Sequence, residues 1–215
     1  MHGLKMTTIV LAATLLAACA SSKPSHYYTL LPPASAAQTS SAAGAAQPEF
    51  AISVQAVQVP EQVDKPQIVV SDPNSAQVIP LNNSLWASPL SDEIRNALSD
   101  GISRRLGVLD VAVTGAPEQL PVWRITMNVQ RFDSVYGERA LIDATWRLSP
   151  VRQPGKKTAL CRAEARVEVG EGMSALVAGH QAAMEQLSVL IAKQLRGDAS
   201  AVSGNGLTLK GCTFS

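Results

Sequence analysis

Strict alternation of apolar and polar residues in the second half of the chain predicts an antiparallel meander of three strands. The three segments are 122–131, 139–149 and 159–169. One face of each strand is then buried and the other is wet, as is typical of antiparallel sheets. The predicted buried positions are Trp123, Ile125, Met127 and Val129, then Ala140, Ile142, Ala144, Trp146 and Leu148, then Ala159, Cys161, Ala163, Ala165, Val167 and Val169.

Two other segments have the period of an amphipathic helix. The first is predicted to begin at an N-cap on Ser88, with Pro89 at the first helical position, and to end at Gly107. The second is predicted from a cap at Ser174 to about Leu195. Their apolar faces are Leu90, Ile94, Ala97, Leu98, Ile102 and Leu106, and Leu176, Val177, His180, Ala183, Met184, Leu187, Ile191 and Leu195.

Shorter apolar runs predict further strands at 26–31, 50–59 and 108–114, and a hairpin that joins 67–71 to 76–79 through an Asp-Pro-Asn turn. Together these elements predict an α+β fold. We expect a single domain with a mixed or mostly antiparallel sheet and two amphipathic helices packed on one face.

The N-terminus has the form of a secretory signal. Lys5 precedes an apolar run at 7–16, which is too short to span a membrane, and small residues then lead to Cys19. The sequence Leu16-Ala17-Ala18-Cys19 resembles the bacterial lipobox. That resemblance implies cleavage after Ala18, lipidation of Cys19 and, because no Asp follows the cysteine, sorting to the outer membrane. A simple signal peptide with a chance cysteine is the alternative.

These features divide the chain into five parts. Residues 198–215 are expected to be loose unless Cys212 holds them. Residues 32–48, an insertion in the domain, are rich in Ala, Ser and Pro and have no charge, so we expect them to be flexible. The parts are a signal peptide 1–18, a tether 19–25, a periplasmic domain 26–197, its insertion 32–48 and a C-terminal tail 198–215.

The charge balance excludes some functions. The chain has 18 basic and 17 acidic residues, and the signal contains only Lys5, so the mature chain is neutral. A neutral chain has no electrostatic footprint for nucleic acid. Two cysteines remain once Cys19 is lipidated, Cys161 and Cys212. They form either a disulfide, which the oxidising periplasm favours, or two unpaired thiols.

No catalytic or metal-binding constellation is readable, so no cofactor and no metal are expected. His26 and His180 have no ligand residues at metal-binding spacing. His180 on a helix is interpreted as a core-edge or interface residue rather than a base. Glu164 and Glu168 share a strand face with Arg162 and Arg166, which indicates an ion-pair ladder more than a pair of catalytic carboxylates.

Three short motifs resemble one protein family. They are Tyr27-Tyr28-Thr29-Leu30 after the lipobox, the segment 59–69 (VPEQVDKPQIV) and Trp86-Ala87-Ser88-Pro89-Leu90. In order and spacing they are similar to the PqiC/YmbA family of ABC-transport auxiliary lipoproteins, over roughly residues 16 to 195. Val63-Asp64-Lys65 stands where the family usually has Leu-Asp-Arg, and Leu85 where it has a charged residue.

The resemblance implies a non-enzymatic accessory of an MCE-type lipid transport system, anchored in the outer membrane on its periplasmic face. Its implied partner is a PqiB-like MCE protein that forms a tunnel, and its implied assembly is a homo-oligomeric ring. The motif residues expected to matter for structure or for partner binding are Asp64, Lys65, Pro66, Gln67, Trp86, Pro89 and Leu90. The alternatives are a solvated turn for Asp64 and Lys65, and packing on the helix start for Trp86.

Two other hypotheses stand beside this one. The chain could be a scaffold or assembly lipoprotein of another outer-membrane machine, which would share the lipobox and the α+β body. It could also be an enzyme that acts on lipid or cell wall, although no residues can be nominated for that role.

Overall fold

The computed structural model describes residues 24–33, 49–198 and 204–215. The signal peptide, Cys19 and most of the predicted insertion therefore lie outside the described residues. The α+β class is confirmed. In chain order the elements are β1 His26–Tyr28, β2 Ala51–Val54, β3 Gln67–Ser71, β4 Val78–Trp86, α1 Leu90–Leu106, β5 Val122–Val135, β6 Arg139–Val151, β7 Ala159–Glu168, α2 Met173–Leu195 and β8 Leu207–Phe214.

The predicted meander forms the centre of a five-stranded sheet. Its strand order is β2-β5-β6-β7-β8, with β2 parallel to β5 and the other neighbours antiparallel. The alternating apolar residues of β5 and β6 are buried as predicted. On β7 the alanines at 159, 163 and 165 and Cys161 are buried, whereas Val167 and Val169 are only partly covered.

A second, three-stranded sheet has the order β1-β4-β3. The predicted hairpin is present, because β3 and β4 pair in antiparallel fashion, but β4 continues through Pro80 as far as Trp86. β1 pairs with the end of β4 in parallel. The single predicted sheet is thus divided into two, and the small one leads directly into α1.

The two helices pack against each other and against one face of the large sheet. Gly101 of α1 meets α2 so closely that a Cβ at this position would lie 2.8 Å from the Cβ of Ser188. Both predicted N-caps are wrong: the caps are Pro89 and Gly172, without side-chain hydrogen bonds. The end of α1 at Gly107 is as predicted, in the left-handed conformation that favours glycine.

The strand predicted at 108–114 is wrong. Only Asp110 forms a single bridge, to Ile52, and residues 112–114 form a turn. The reason is the side chain of Asp110, whose Oδ1 accepts from the backbone N–H of Ala112 at 2.9 Å. A short polar side chain that bonds to the backbone two residues on favours a turn over a strand.

The first meander strand is longer than the prediction, and its register changes. A shift between Val129 and Arg131 reverses the alternation, so that Phe132 and Ser134 point into the core. A bulge of this kind inserts one extra residue into a strand. The strand reaches Val135 as a result.

Most of the predicted C-terminal tail belongs to the domain. Residues 207–214 form β8, which extends the large sheet beside β7. Cys161 and Cys212 are opposite each other in this pair and form a disulfide. Gln194 of α2 donates to both sulfur atoms, at 3.4 and 3.6 Å.

Reduction of the disulfide should raise the intact mass by two hydrogens and lower the free energy of unfolding. The sequence separation of the two cysteines is 51 residues, and a loop of that length corresponds to about 4 kcal/mol of lost chain entropy in the unfolded state. Mass spectrometry and urea titration with and without reductant measure both effects. A Cys212→Ala variant should be insensitive to reductant, and equal wild-type stability in both conditions would contradict the expectation.

Candidate functional site

The segment that follows the predicted lipid anchor is fixed to the body of the protein. β1 pairs with β4 at His26–Ser84, Tyr27–Leu85 and Tyr28–Trp86. The backbone N–H of Ala87 donates to the carbonyl of Tyr28 at 2.8 Å. Leu30 is then buried in the core, at 1% exposure.

A buried carboxylate holds this segment against the start of α1. Oε2 of Glu93 accepts from the hydroxyl of Thr29 at 2.7 Å and from the N–H of Leu30 at 2.8 Å. Oε1 accepts from the hydroxyl and the N–H of Ser88, at 2.7 and 3.1 Å. Glu93 lies in the first helical turn, where the helix dipole favours a negative charge. We call this arrangement the Glu93 clamp.

The second helix completes the attachment. Nε2 of Gln181 donates to the carbonyls of Thr29 at 2.9 Å and Leu31 at 3.0 Å. The segment 29–31 is therefore held by both helices through side chains more than sixty residues away. The sequence does not predict this role for Glu93, because its partners are distant along the chain and nothing local indicates them.

The loop at 60–66 is a turn with one buried residue. Val63 is 4% exposed and joins the core, whereas Asp64, Lys65 and Pro66 are exposed. The N–H groups of Val63 and Asp64 both donate to the carbonyl of Pro60. The side chains of Asp64 and Lys65 are thus displayed on a fixed backbone.

The other motif residues are structural in their placement. Trp86 is 4% exposed, and its backbone N–H donates to the carbonyl of Pro66 at 2.8 Å. Its ring meets Phe132 edge-on, with centroids 6.0 Å apart. Leu90 is buried at 1% exposure, Pro89 caps α1, and Gln67 opens β3 opposite Leu85. The structure therefore separates an exposed pair, Asp64 and Lys65, from a buried group around Trp86.

His180 extends the cluster formed by Trp86 and Phe132. The prediction of a core-edge or interface residue is wrong, because His180 is completely buried. Its ring stacks on Phe132 with centroids 4.0 Å apart, and its Nε2 is 2.8 Å from the Ser134 hydroxyl. Burial lowers the pKa of His180 to about 3. Nδ1 has no partner among the described residues, so no acid orients the ring as a catalytic base would require. His180 and Ser134 are both buried, and their contact joins α2 to β5 within the core.

Two open grooves follow the outer face of the large sheet and share a polar pair. The first, of about 580 Å³, is lined by residues that include Asp64, Gln58 and Asn128. The second, of about 280 Å³, is lined by residues that include Gln58, Asn128 and Arg147. Nδ2 of Asn128 donates to Oε1 of Gln58 at 3.1 Å. We call the four residues Asp64, Gln58, Asn128 and Arg147 the polar strip.

The charges on the outer face are arranged differently at its two ends. Towards β8, Asp143 is 1% exposed, accepts two hydrogen bonds from Arg162 at 2.8 Å and a third from Lys210 at 2.8 Å. The bond from Arg162 is the main reason why the pKa of Asp143 is lowered. Lys210 also pairs with Glu164 at 2.6 Å. The ion-pair ladder predicted on β7 is therefore a network that joins β6, β7 and β8 around Asp143. The alternation of β6 predicts a wet side chain at Asp143, whereas the structure buries it.

Arg147 of the polar strip and its neighbour Arg124 are cations without an ion-pair partner among the described residues. They are diagonal neighbours on β5 and β6, both exposed, and neither forms an ion pair within the described part of the chain. Their neighbours on the same face are Thr126 and Ser149. This part of the face is therefore positively charged and exposed.

The comparisons with known proteins decide the family. Residues 28–192 match the model of a family described as ABC-type transport auxiliary lipoprotein component. This chain belongs to that family. The match extends from the end of β1 into the last turn of α2, and it includes the Glu93 clamp and the loop at 60–66 but not β8.

Solved structures share the fold of this chain. An uncharacterized protein is 21% identical with a TM-score of 0.58, over 80% of this chain and 99% of its own. A protein from Xanthomonas campestris is 15% identical with a TM-score of 0.56, over 81% of this chain and 100% of its own. No curated protein matches this chain.

The described residues contain neither a membrane-spanning helix nor a cluster of metal-ligating side chains. Neither helix in these residues is long and apolar enough to cross a membrane. Within the same ranges, no group of three or more His, Cys, Asp or Glu side chains could hold a metal ion.

Replacement of Glu93 by Ala should loosen the segment 29–31 and lower the free energy of unfolding by about 3 kcal/mol, because buried donors lose their charged acceptor. Chymotrypsin should then cleave after Tyr28 faster than in the wild type. Asp92→Asn is the matched control, since Asp92 is exposed in the same helical turn. Equal cleavage rates for the Glu93→Ala variant and this control would contradict the clamp.

Acid should destabilise the wild type more than a His180→Gln variant. The unfolded chain takes up a proton on His180 below about pH 6.5, whereas the folded protein does so only near pH 3. The stabilisation is complete above the unfolded pKa and is lost at about 1.4 kcal/mol per pH unit as the pH falls. Urea titrations of both proteins from pH 7 to 4 measure the difference, and parallel curves would refute it. Asp143 titrates in the same direction in both, so its contribution cancels.

Proposed function

We propose that this chain is a non-enzymatic accessory of an MCE-type intermembrane lipid transport system, anchored to the outer membrane on its periplasmic face. The observation that carries the proposal is the Glu93 clamp on the segment 29–31, within the family match and shortly after the lipobox-like sequence. A domain fixed this close to its lipid cannot leave the bilayer surface. It can therefore serve as a stationary dock for a partner that crosses the periplasm.

The anchor is Cys19, after cleavage behind Ala18. His26, where β1 begins, is the seventh residue after Cys19, and a tether of that length extends at most about 25 Å. Two or more acyl chains give stable membrane attachment, as a lipidated and acylated N-terminal cysteine would have. Ala20 and Ser21 follow the cysteine in place of an Asp, which favours the outer membrane.

The partner is a PqiB-like MCE protein, and we assign its contact to the polar strip and the exposed pair Asp64 and Lys65. The two grooves of the strip share Gln58 and Asn128 in their linings. Arg147 and Arg124 supply positive charge without internal partners among the described residues. A surface of this kind suits a protein interface with an acidic rim, because charge steers the encounter and fixes its register.

The oligomeric state belongs to the same proposal. Several copies would form a homo-oligomeric ring that presents its polar strips to the end of the tunnel. The buried motif residues, Trp86 and Leu90, would then act through the fold by holding the loop and the helix start in place.

Capture of the partner from membranes tests the proposal. Full-length, lipidated protein is crosslinked in solubilised membranes, and the bound proteins are identified by mass spectrometry. We expect an MCE-domain protein with the wild type, and a loss of about tenfold or more with Arg147→Glu, because reversing one interfacial charge costs more than about 1.4 kcal/mol. Asp64→Ala should weaken capture less.

Lys156→Glu is the matched control, since Lys156 is exposed in the loop between β6 and β7 and the charge change is identical. Capture should survive this substitution. Recovery of only other outer-membrane machinery would favour the scaffold hypothesis, and turnover of phospholipid by the purified protein would contradict the non-enzymatic role.

A further inference from the structure

The hairpin of β3 and β4 projects from the body of the protein. Its base is in the core, where Ile68 and Trp86 are buried. The exposure of β4 increases towards its beginning, and Val78, Ile79 and Pro80 are all exposed. Val78 and Ile79 are each 43% exposed, although both are large and apolar.

The described chain enters β1 from the side of the domain on which the tip of the hairpin lies. β1 is parallel to β4, with His26 opposite Ser84, so the chain before His26 heads towards the start of β4. Cys19 precedes His26 by seven residues, and Gln77 precedes Ser84 by the same number. Seven residues of chain reach about 23 Å, so a lipid on Cys19 is within reach of the hairpin turn.

The hairpin and the first strand carry almost no charge. Residues 73–91 contain no Asp, Glu, Lys or Arg, and residues 24–48 contain none either. Asp72 is the single charged residue of the hairpin, and its carboxylate is used within the turn, by the N–H of Asn74 at 2.8 Å and the hydroxyl of Ser75 at 3.0 Å. Burial of this tip therefore removes little charge from water, and charged groups are the costly ones to desolvate.

From these observations we propose that the tip of the hairpin, at Val78 and Ile79, contacts the phospholipid surface in which Cys19 is anchored. The inference rests on the lipidation of Cys19 in the proposed function. Exposed apolar side chains beside a lipid anchor enter the boundary between headgroups and acyl chains. The hairpin then acts as a second point of contact that sets the orientation of the domain on the bilayer, and the polar strip is presented at a fixed angle.

Depth-dependent fluorescence quenching tests the contact. Full-length lipidated Ile79→Trp protein is reconstituted into vesicles of phosphatidylethanolamine and phosphatidylglycerol, with and without lipids brominated near the headgroup end of the acyl chains. The three native tryptophans are buried, at 1 to 7% exposure, and are common to all variants. We expect a blue shift and a large loss of emission from the added tryptophan.

Val113→Trp is the matched control, because Val113 is also exposed and apolar, at 89%, but lies beyond the far end of α1. It should show neither shift nor quenching. A blue shift of the Ile79→Trp variant without quenching would mean that the hairpin packs on a second copy or another protein, and would overturn the inference. Water-exposed emission in both variants would also overturn it.

Two further readouts separate this inference from its premise. Intact mass shows whether Cys19 carries acyl chains, and a mass without them would overturn the inference together with the anchoring step. Normal quenching combined with failed capture of an MCE protein would overturn only the docking part of the proposed function. Thermal unfolding of each variant verifies that the substitution has not disturbed the fold.

Discussion

The attachment of the N-terminal segment to the helices is the constraint on which the rest of the structure depends. One carboxylate, Glu93, satisfies donors from the segment and from the entry to α1, four hydrogen bonds in all. A buried charge is tolerated only when it is fully hydrogen-bonded. The small sheet, the start of α1 and the segment 29–31 are consequently coupled, so that none of the three can move without the others.

A buried aromatic cluster joins three elements of the core. Trp86, Phe132 and His180 contact in sequence, and Ser134 binds the far ring. This cluster connects β4, β5 and α2, which are distant along the chain. The backbone N–H of Trp86 also bonds to the carbonyl of Pro66, so the same residue fixes the end of the loop that displays Asp64 and Lys65.

Periodicity predicted both helices, the meander and its buried alternation, because those patterns are local. It failed where a single side chain or an extra residue decides the structure. The carboxylate of Asp110 replaces a strand by a turn, and one bulge after Val129 redirects Phe132 and Ser134. The clamp could not be predicted, since Glu93 and Leu30 are 63 residues apart and no alternation indicates their contact. The exposed pair at Asp64 and Lys65 was found only through resemblance to a family.

The irregular last strand has a consequence for how copies of the protein can meet. The pairing of β7 with β8 shifts register between Arg162 and Ala163, and Lys210 turns back over the sheet to Asp143 and Glu164. A bulged edge with an inward-bonded lysine resists the addition of a further strand. The β8 edge of the sheet therefore does not favour the addition of a strand from another copy. Neighbouring copies in a ring would have to join through side-chain contacts, which are reversible, and not through a shared backbone ladder.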